Sequence, residues 1–216
     1  DYIALNNANS GDDASTILLI TGDGTHGSQT FNDLSANNHT VTAVNEVNHI
    51  RSLRLANKSS ILFDEVDDYL SIPNHTDFDI GTGDFTLEAW IYTDDIEGAG
   101  YRILSQGDLE TNDGDWCWGI GTGWGGGFKM NFAIKDGALP VKDYTSTAID
   151  PVDLAPFTWH HVALVRTSGV LKYFWNGINF YSVAAAHSMT SATDSTLAVG
   201  ARRFGGGSPY YIEEYN

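Results

Sequence analysis

Residues 84–93, DFTLEAWIYT, alternate with a period of two: Phe85, Leu87, Ala89 and Ile91 interleave with Thr86, Glu88, Trp90 and Tyr92. Successive side chains of an extended chain point to opposite faces, so this pattern predicts a β-strand with one buried face. Its aromatic and β-branched residues favour the pleated conformation. A shorter extended run, Tyr69 to Ile72, precedes it, and Pro73, Asn74, Gly81 and Gly83 lie between the two. Those four residues break strands and set turns. The stretch therefore predicts a strand, a structured loop and a longer half-buried strand.

The rest of the chain reads the same way. Thr16 to Ile20 is a short apolar run that predicts a strand, and His39 to Val44 a second one after a turn-rich segment. Arg102 to Gln106 is extended, and Phe128 to Lys135 sets Phe128, Met130, Phe132 and Ile134 on one face. Residues 138–156 hold three of the five prolines and predict a long loop with one short strand. Trp159 to Thr167 and Leu171 to Trp175 form a hairpin pattern through Ser168-Gly169, and Asn176-Gly177 is a type I′ turn signal leading into Ile178 to Val183. Val162 and Leu164 oppose Ala163 and Val165, so that strand is apolar on both faces and belongs in the middle of a sheet. Thr196 to Gly200 and Tyr210 to Tyr215 are the last strands, and no helix longer than a turn or two is expected. Residues 1–15 are polar and without a period, a linker or N-terminal arm, which leaves 16–216 as one all-β domain.

Composition narrows the function classes. Hydrophobic residues make up 42% of the 216, enough for a substantial core. With 28 acidic and 11 basic residues the formal charge is −17, which argues against nucleic acid and anionic membranes as partners. The same excess suits divalent-cation binding or salty surroundings, although its plainest use is solubility. No apolar run is long enough to cross a bilayer, so membrane insertion is not expected. Cys117 is the single cysteine, so no disulfide forms within these residues.

Residues 62–92, LFDEVDDYLSIPNHTDFDIGTGDFTLEAWIY, follow a family phrase almost without gaps. So do WHHVALVR at 159–166, FWNGINF at 174–180 and the glycine-rich opening from Ile17 through GDGTHGSQTFNDLSANN. In these motifs the chain resembles laminin G-like domains of the concanavalin A-like lectin/glucanase superfamily, particularly phage and marine bacterial members. The resemblance implies a two-sheet antiparallel β-sandwich, a jelly roll. Glu65 stands where the family has glycine, and Tyr211-Ile212-Glu213-Glu214 matches the family's late "Y-I-D-E" strand. That strand ends two residues before Asn216, where relatives continue, so a truncated C-terminus is expected.

The superfamily includes glycosidases, which need two positioned carboxylates. The nearest string, Glu65 to Leu70, has leucine where the second glutamate belongs, and Glu88 stands alone beside Trp90. His160 and His161 are adjacent and so face opposite ways, which prevents them from serving one metal or base site. One histidine near the core and one at the surface is the expectation. The family resemblance implies a calcium ion joining Asp23 to Glu213, which replaces the family aspartate. Calcium takes six to eight oxygen ligands. A second acidic loop, Asp108, Glu110, Asn112, Asp113 and Asp115, has its glycine at 114, out of register for an EF-hand. A solvated loop is its alternative.

Sugar recognition requires flat apolar faces for the ring and polar groups for its hydroxyls. Trp116 and Trp118 share one strand face and are expected in the core, whereas Trp124 in GTGWGGG is the ring to expect on an exposed loop beside Asp108, Asp113 and Asp115, its alternative being an aromatic packed under its own loop. Arg202 and Tyr210, flanking the glycines at 205–207, are further candidates. The sequence thus points to a non-catalytic, calcium-stabilised carbohydrate-binding or adhesion module on an extracellular, cell-surface or virion protein. Its partner would be a glycan or cell-surface polysaccharide. The alternative is a structural module, such as a phage tail, fibre or capsid-decoration component, whose partners are other virion or surface proteins. A glycosidase is the remaining class.

Overall fold

The computed structural model describes residues 2–4, 14–52, 59–64, 66–93, 100–109, 115–122, 127–135, 141–149, 155–189, 195–203 and 210–211, with residues 2–4, 93, 203, 210 and 211 described by backbone only. The strands begin with β1 (Tyr2–Ala4), β2 (Thr42–Val44), β3 (Asn48–Ile50), β4 (Ser60–Leu62), β5 (Tyr69–Ile72) and β6 (Phe85–Thr93). They continue with β7 (Tyr101–Gln106), β8 (Trp116–Gly121), β9 (Lys129–Ile134), β10 (Lys142–Thr145) and β11 (Thr158–Thr167). The last are β12 (Val170–Trp175), β13 (Ile178–Ala184), β14 (Leu197–Val199), β15 (Arg202–Arg203) and β16 (Tyr210–Tyr211). Among the described residues the only helix is one 3₁₀ turn, Thr76–Phe78.

Two seven-stranded sheets stack face to face. One runs β13-β12-β11-β6-β1-β4-β3 and the other β10-β9-β8-β7-β14-β5-β2, while β15 and β16 form a separate hairpin. This is the expected two-sheet antiparallel β-sandwich. The alternating residues meet in one core: Ala89 and Ile91, Val162 and Leu164, Leu171 and Tyr173 from the first sheet pack with Trp116, Trp118, Met130 and Phe132 from the second. Fully burying each such large side chain is worth about 1.5–3 kcal/mol, so a clean period of two is enough to set which face turns inward.

Several expectations hold in detail. β5 spans the residues read as extended, and β11 is central, hydrogen-bonded to β6 on one side and β12 on the other. Asn176 and Gly177 have φ of 50° and 81°, the two left-handed residues a type I′ turn requires. Trp116 and Trp118 are core residues.

Two readings are corrected. The apolar run Thr16 to Ile20 is not a strand; it makes a single bridge, Ile20 with Asp33. Short apolar runs give no period, and nothing in them separates a ladder strand from a packed loop. Within the segment assigned to a linker or arm, Tyr2–Ala4 is a strand inserted between β4 and β6. Backbone pairing, which is blind to side-chain pattern, places it there.

β5 and β6 are consecutive yet lie in opposite sheets, so residues 73–84 carry the chain across the sandwich. Arg166, at the inner end of β11 and 3% exposed, holds that crossing. Its Nε donates to the Gly83 carbonyl at 2.7 Å, Nη2 to Gly81 at 2.6 Å and Nη1 to His187 at 2.7 Å. The guanidinium also lies 4.8 Å from the centre of the Phe85 ring. Burial pulls the guanidinium below its ordinary range, and the charge of Asp84 offsets that only in part. Gly81, at φ 59°, completes the clasp by exchanging both backbone hydrogen bonds with Met189.

Replacing the buried guanidinium removes a donor from three carbonyls, of which Gly81 keeps the Met189 N–H. Arg166→Leu is expected to cost about 3 kcal/mol or more and to lower the Tm by roughly 10 °C. Arg166→Lys should fall between, because a single ammonium cannot span the fork. A thermal melt of both variants checks this, and a Leu variant as stable as the parent would refute the clasp.

Candidate functional site

The face of β6 and β11 turned away from the core carries the chemistry. His161 lies opposite Trp90 and Trp159 opposite Tyr92 in the ladder, so two aromatic pairs stand side by side. Ring centres are 5.3 Å apart for Trp90–His161 and 5.5 Å for Tyr92–Trp159. All four rings are half-buried, each presenting part of its surface. Glu88, one alternation before Trp90, is 57% exposed and its Oε2 lies 3.3 Å from His161 Nε2. That hydrogen bond and the imidazole's charge outweigh burial and hold the Glu88 carboxyl below the ordinary glutamate range.

The neighbouring histidine does different work. His160 is 4% exposed, its Nε2 lies 2.9 Å from the Ala155 carbonyl, and Nδ1 lies 3.2 Å from Asn176 Nδ2. The neutral imidazole protonated on Nε2 satisfies both contacts, as a donor to Ala155 and an acceptor from Asn176. Its ring packs on Trp175 with centres 4.6 Å apart. Asn176 Oδ1 accepts the His161 N–H at 2.9 Å, so one turn residue positions both histidines. The expected split, one histidine inward and one at the surface, is what the strand produces.

At the same end of the sheet Phe157 is 65% exposed with φ 59°. A non-glycine residue in the left-handed region costs about 1–2 kcal/mol, so here an apolar ring is held outward against both solvent and backbone preference.

Such a face can stack sugar rings and offer hydroxyls a carboxylate acceptor. It does not supply a pair of carboxylates, for among the outward residues of β6, β11 and β12 Glu88 is the only acid.

The loop candidates fare differently. Asp108 and Asp115 are 1% and 0% exposed, which corrects their assignment to sugar contacts. Asp115 Oδ2 accepts the Asp108 N–H at 2.6 Å and Oδ1 the Ser195 hydroxyl at 2.6 Å. A Cβ on Gly107 would lie 2.1 Å from Asp115 Oδ2, so glycine is what allows this carboxylate to sit under the turn. Asp115 is an internal tie between loops, and short acidic loops hide that role because sequence carries no burial. Trp124, Asp113 and Glu213 lie outside the described residues. Arg202 is half-buried on β15, with Tyr210 placed by backbone pairing to Arg203 on β16. Asp23 is exposed and accepts the Thr21 hydroxyl at 2.5 Å. The period of two set Glu88, Trp90 and Tyr92 on one face; Trp159 and His161 joined them only through strand register.

Two stacked seven-stranded sheets define a β-sandwich. The chain belongs to the concanavalin A-like lectin/glucanases superfamily, whose laminin G model matches residues 64–211. No curated protein sequence matches it. Among solved structures it is similar to the botulinum neurotoxin serotype D binding domain, with 16% identity and a TM-score of 0.58, covering 81% of this chain and 41% of that one. The receptor binding domain of the botulinum neurotoxin C/D mosaic serotype gives 13% identity and a TM-score of 0.59 over 88% of this chain and 43% of that one. The chain therefore spans less than half of these toxin domains. Domain 4 of AbnA, a GH43 extracellular arabinanase from Geobacillus stearothermophilus, solved in complex with arabinotriose, gives 12% identity and a TM-score of 0.52 over 82% of this chain and 80% of that one.

The Glu88–His161 contact has a pH signature. A depressed carboxyl contributes stability above its unfolded pKa of about 4.3 and loses it as pH falls through the lower folded value. Carboxyl NMR should find Glu88 titrating below that value in the parent and at or above it in His161→Ala, where burial alone acts. Identical titrations in the two proteins would mean that the pair does not form.

Proposed function

We propose that the chain is a non-catalytic carbohydrate-binding module of an extracellular, cell-surface or virion protein, with its glycan lying along the outward face of β6 and β11. One observation carries this reading: two paired aromatic rows, Trp90–His161 and Tyr92–Trp159, beside a single exposed carboxylate fixed by an imidazole. Flat rings take the apolar face of a pyranose or furanose, while Glu88 and His161 bond to its hydroxyls. Among the described outward residues of β6, β11 and β12 Glu88 is the only acid, which supports binding over hydrolysis, a reaction that needs a second carboxyl about 5–9 Å away. In support, domain 4 of AbnA, similar in fold, was solved in complex with arabinotriose.

A second reading, a structural module contacting other virion or surface proteins, draws on β13. It is the edge of its sheet, and Ile178 at its start is 70% exposed. Unpaired edges recruit strands from partners.

A glycan array decides between them. Binding weakened at least tenfold by Trp90→Ala and by Trp159→Ala, each with an unchanged melt, is the expected result, as hot-spot aromatics lose roughly 2 kcal/mol or more on truncation. Loss in Trp124→Ala alone would move the site to the 123–126 loop. An array without hits, together with concentration-dependent self-assembly, would favour the structural module.

Calcium belongs to the same proposal, with Asp23 and Glu213 as its ligands. In support, the Asp23 loop is closely seated: a Cβ on Gly22 would lie 2.9 Å from the Ser59 carbonyl oxygen, and Asp23 projects beyond it into solvent. EGTA should lower the Tm by a few degrees and added calcium restore it, with neither effect in Asp23→Ala. An unchanged melt would remove calcium from the reading.

A further inference from the structure

Two histidines and an aspartate from separate segments converge at the edge of the β5–β6 crossing. His39 precedes β2, His75 caps the 3₁₀ turn and Asp77 lies within that turn. His39 Nε2 is 3.2 Å from Asp77 Oδ2 and His75 Nδ1 is 3.1 Å from Asp77 Oδ1, and one ligand atom from each residue fits within a 4.8 Å span. The His39 side chain is 8% exposed, and its buried Nε2 makes no geometrically sound hydrogen bond. Its ring is held against Phe78, centres 4.8 Å apart, and edge-on to His75 at 4.9 Å.

The backbone under His39 is fixed too. Asp33, 3% exposed, accepts the N–H groups of Leu19 and Ser35 on Oδ1 at 2.9 Å each, and the His39 N–H at 2.8 Å and the Ser35 hydroxyl at 2.9 Å on Oδ2. His75, by contrast, is 51% exposed, which leaves an approach from solvent.

We propose that His39, His75 and Asp77 form a binding site for a divalent transition-metal ion of the zinc class. Around a tetrahedral ion with bonds of about 2.0–2.1 Å, ligand atoms stand about 3.3–3.4 Å apart. The two separations, 3.2 and 3.1 Å, are near such edges but run to different oxygens of Asp77, so one ion is held either by both oxygens or after a small turn of the carboxylate. Two imidazoles with one carboxylate select zinc-like ions over calcium or magnesium, which take oxygen. The fourth position lies on the open side of His75 and belongs to water. On binding, the ion displaces the contact of His75 Nδ1 with the Asp77 N–H, 3.2 Å long and at the exposed end of the turn, where water can replace it. The ion would clip the segment before β2 to the β5–β6 crossing, four residues before Gly81 of the Arg166 clasp.

The test is zinc titration of the full chain, purified without a histidine tag, followed by calorimetry and by thermal melting. One ion per chain is expected, with the Tm raised roughly 5–10 °C at a hundredfold excess over Kd and with no such gain from magnesium. His75→Ala, at an exposed position, and the near-isosteric His39→Gln should each weaken binding at least ~tenfold, while Glu88→Ala leaves it intact. Cobalt substitution should give visible tetrahedral bands that His75→Ala abolishes. No zinc binding by the folded parent, or binding unchanged in folded His75→Ala, would overturn the site. His75→Ala melts unaided by zinc but otherwise parental would support it.

Discussion

A buried cation fastened to three backbone carbonyls governs this sandwich. Arg166 stands at the inner end of the central strand β11 and binds Gly81, Gly83 and His187. Two of these lie on the segment that carries the chain from one sheet to the other. A crossing leaves carbonyls that neither ladder can pair, and buried without partners each would cost on the order of 1–3 kcal/mol. The planar five-donor guanidinium reaches several at once, which no neutral side chain does. With the crossing held, β6 lies against β11 in a register that sets Trp90 beside His161 and Tyr92 beside Trp159.

That register explains why one surface gathers the polar and aromatic chemistry while another loses it. On β6 and β11 the core takes every second residue, leaving Glu88, Trp90, Tyr92, Trp159 and His161 outward. On β8 and most of β9 both faces are covered, so Trp116, Cys117 and Trp118 alike are buried. An acid just before β8 becomes an internal tie, as Asp115 does between Asp108 and Ser195. Residue type is the same in both places; accessibility separates a ligand contact from a fold contact. The same holds for histidine, where His160 packs under a turn and His161 pairs with an exposed carboxylate.

Much of the fold was legible because it rests on local rules. Period-two alternation gave β6 and β9, short extended or two-faced apolar runs gave β5, β11 and β12, and Asn176-Gly177 gave its hairpin turn. The apolar run at Thr16 to Ile20 and the strand Tyr2–Ala4 were misread for complementary reasons. The first has strand composition but no ladder partner along its length. The second sits in a polar segment without a period and is recruited by the open backbone of β4 and β6. Pairing over about sixty to ninety residues leaves no mark in a local window.

The sequence by itself determined the class: an acidic all-β chain with one strongly half-buried strand, a central two-faced strand and a single outward glutamate beside tryptophan. Local pattern is sufficient for that, since the period of two is a property of the extended backbone and burial rewards it directly. Only the tertiary structure decided which side chains meet. It joined Glu88 to His161 across strands about seventy residues apart, placed His39 beside His75 and Asp77, and turned Asp108 and Asp115 inward. These meetings depend on register and on how the sheets are connected, quantities summed over the whole chain and carried by no single stretch of it.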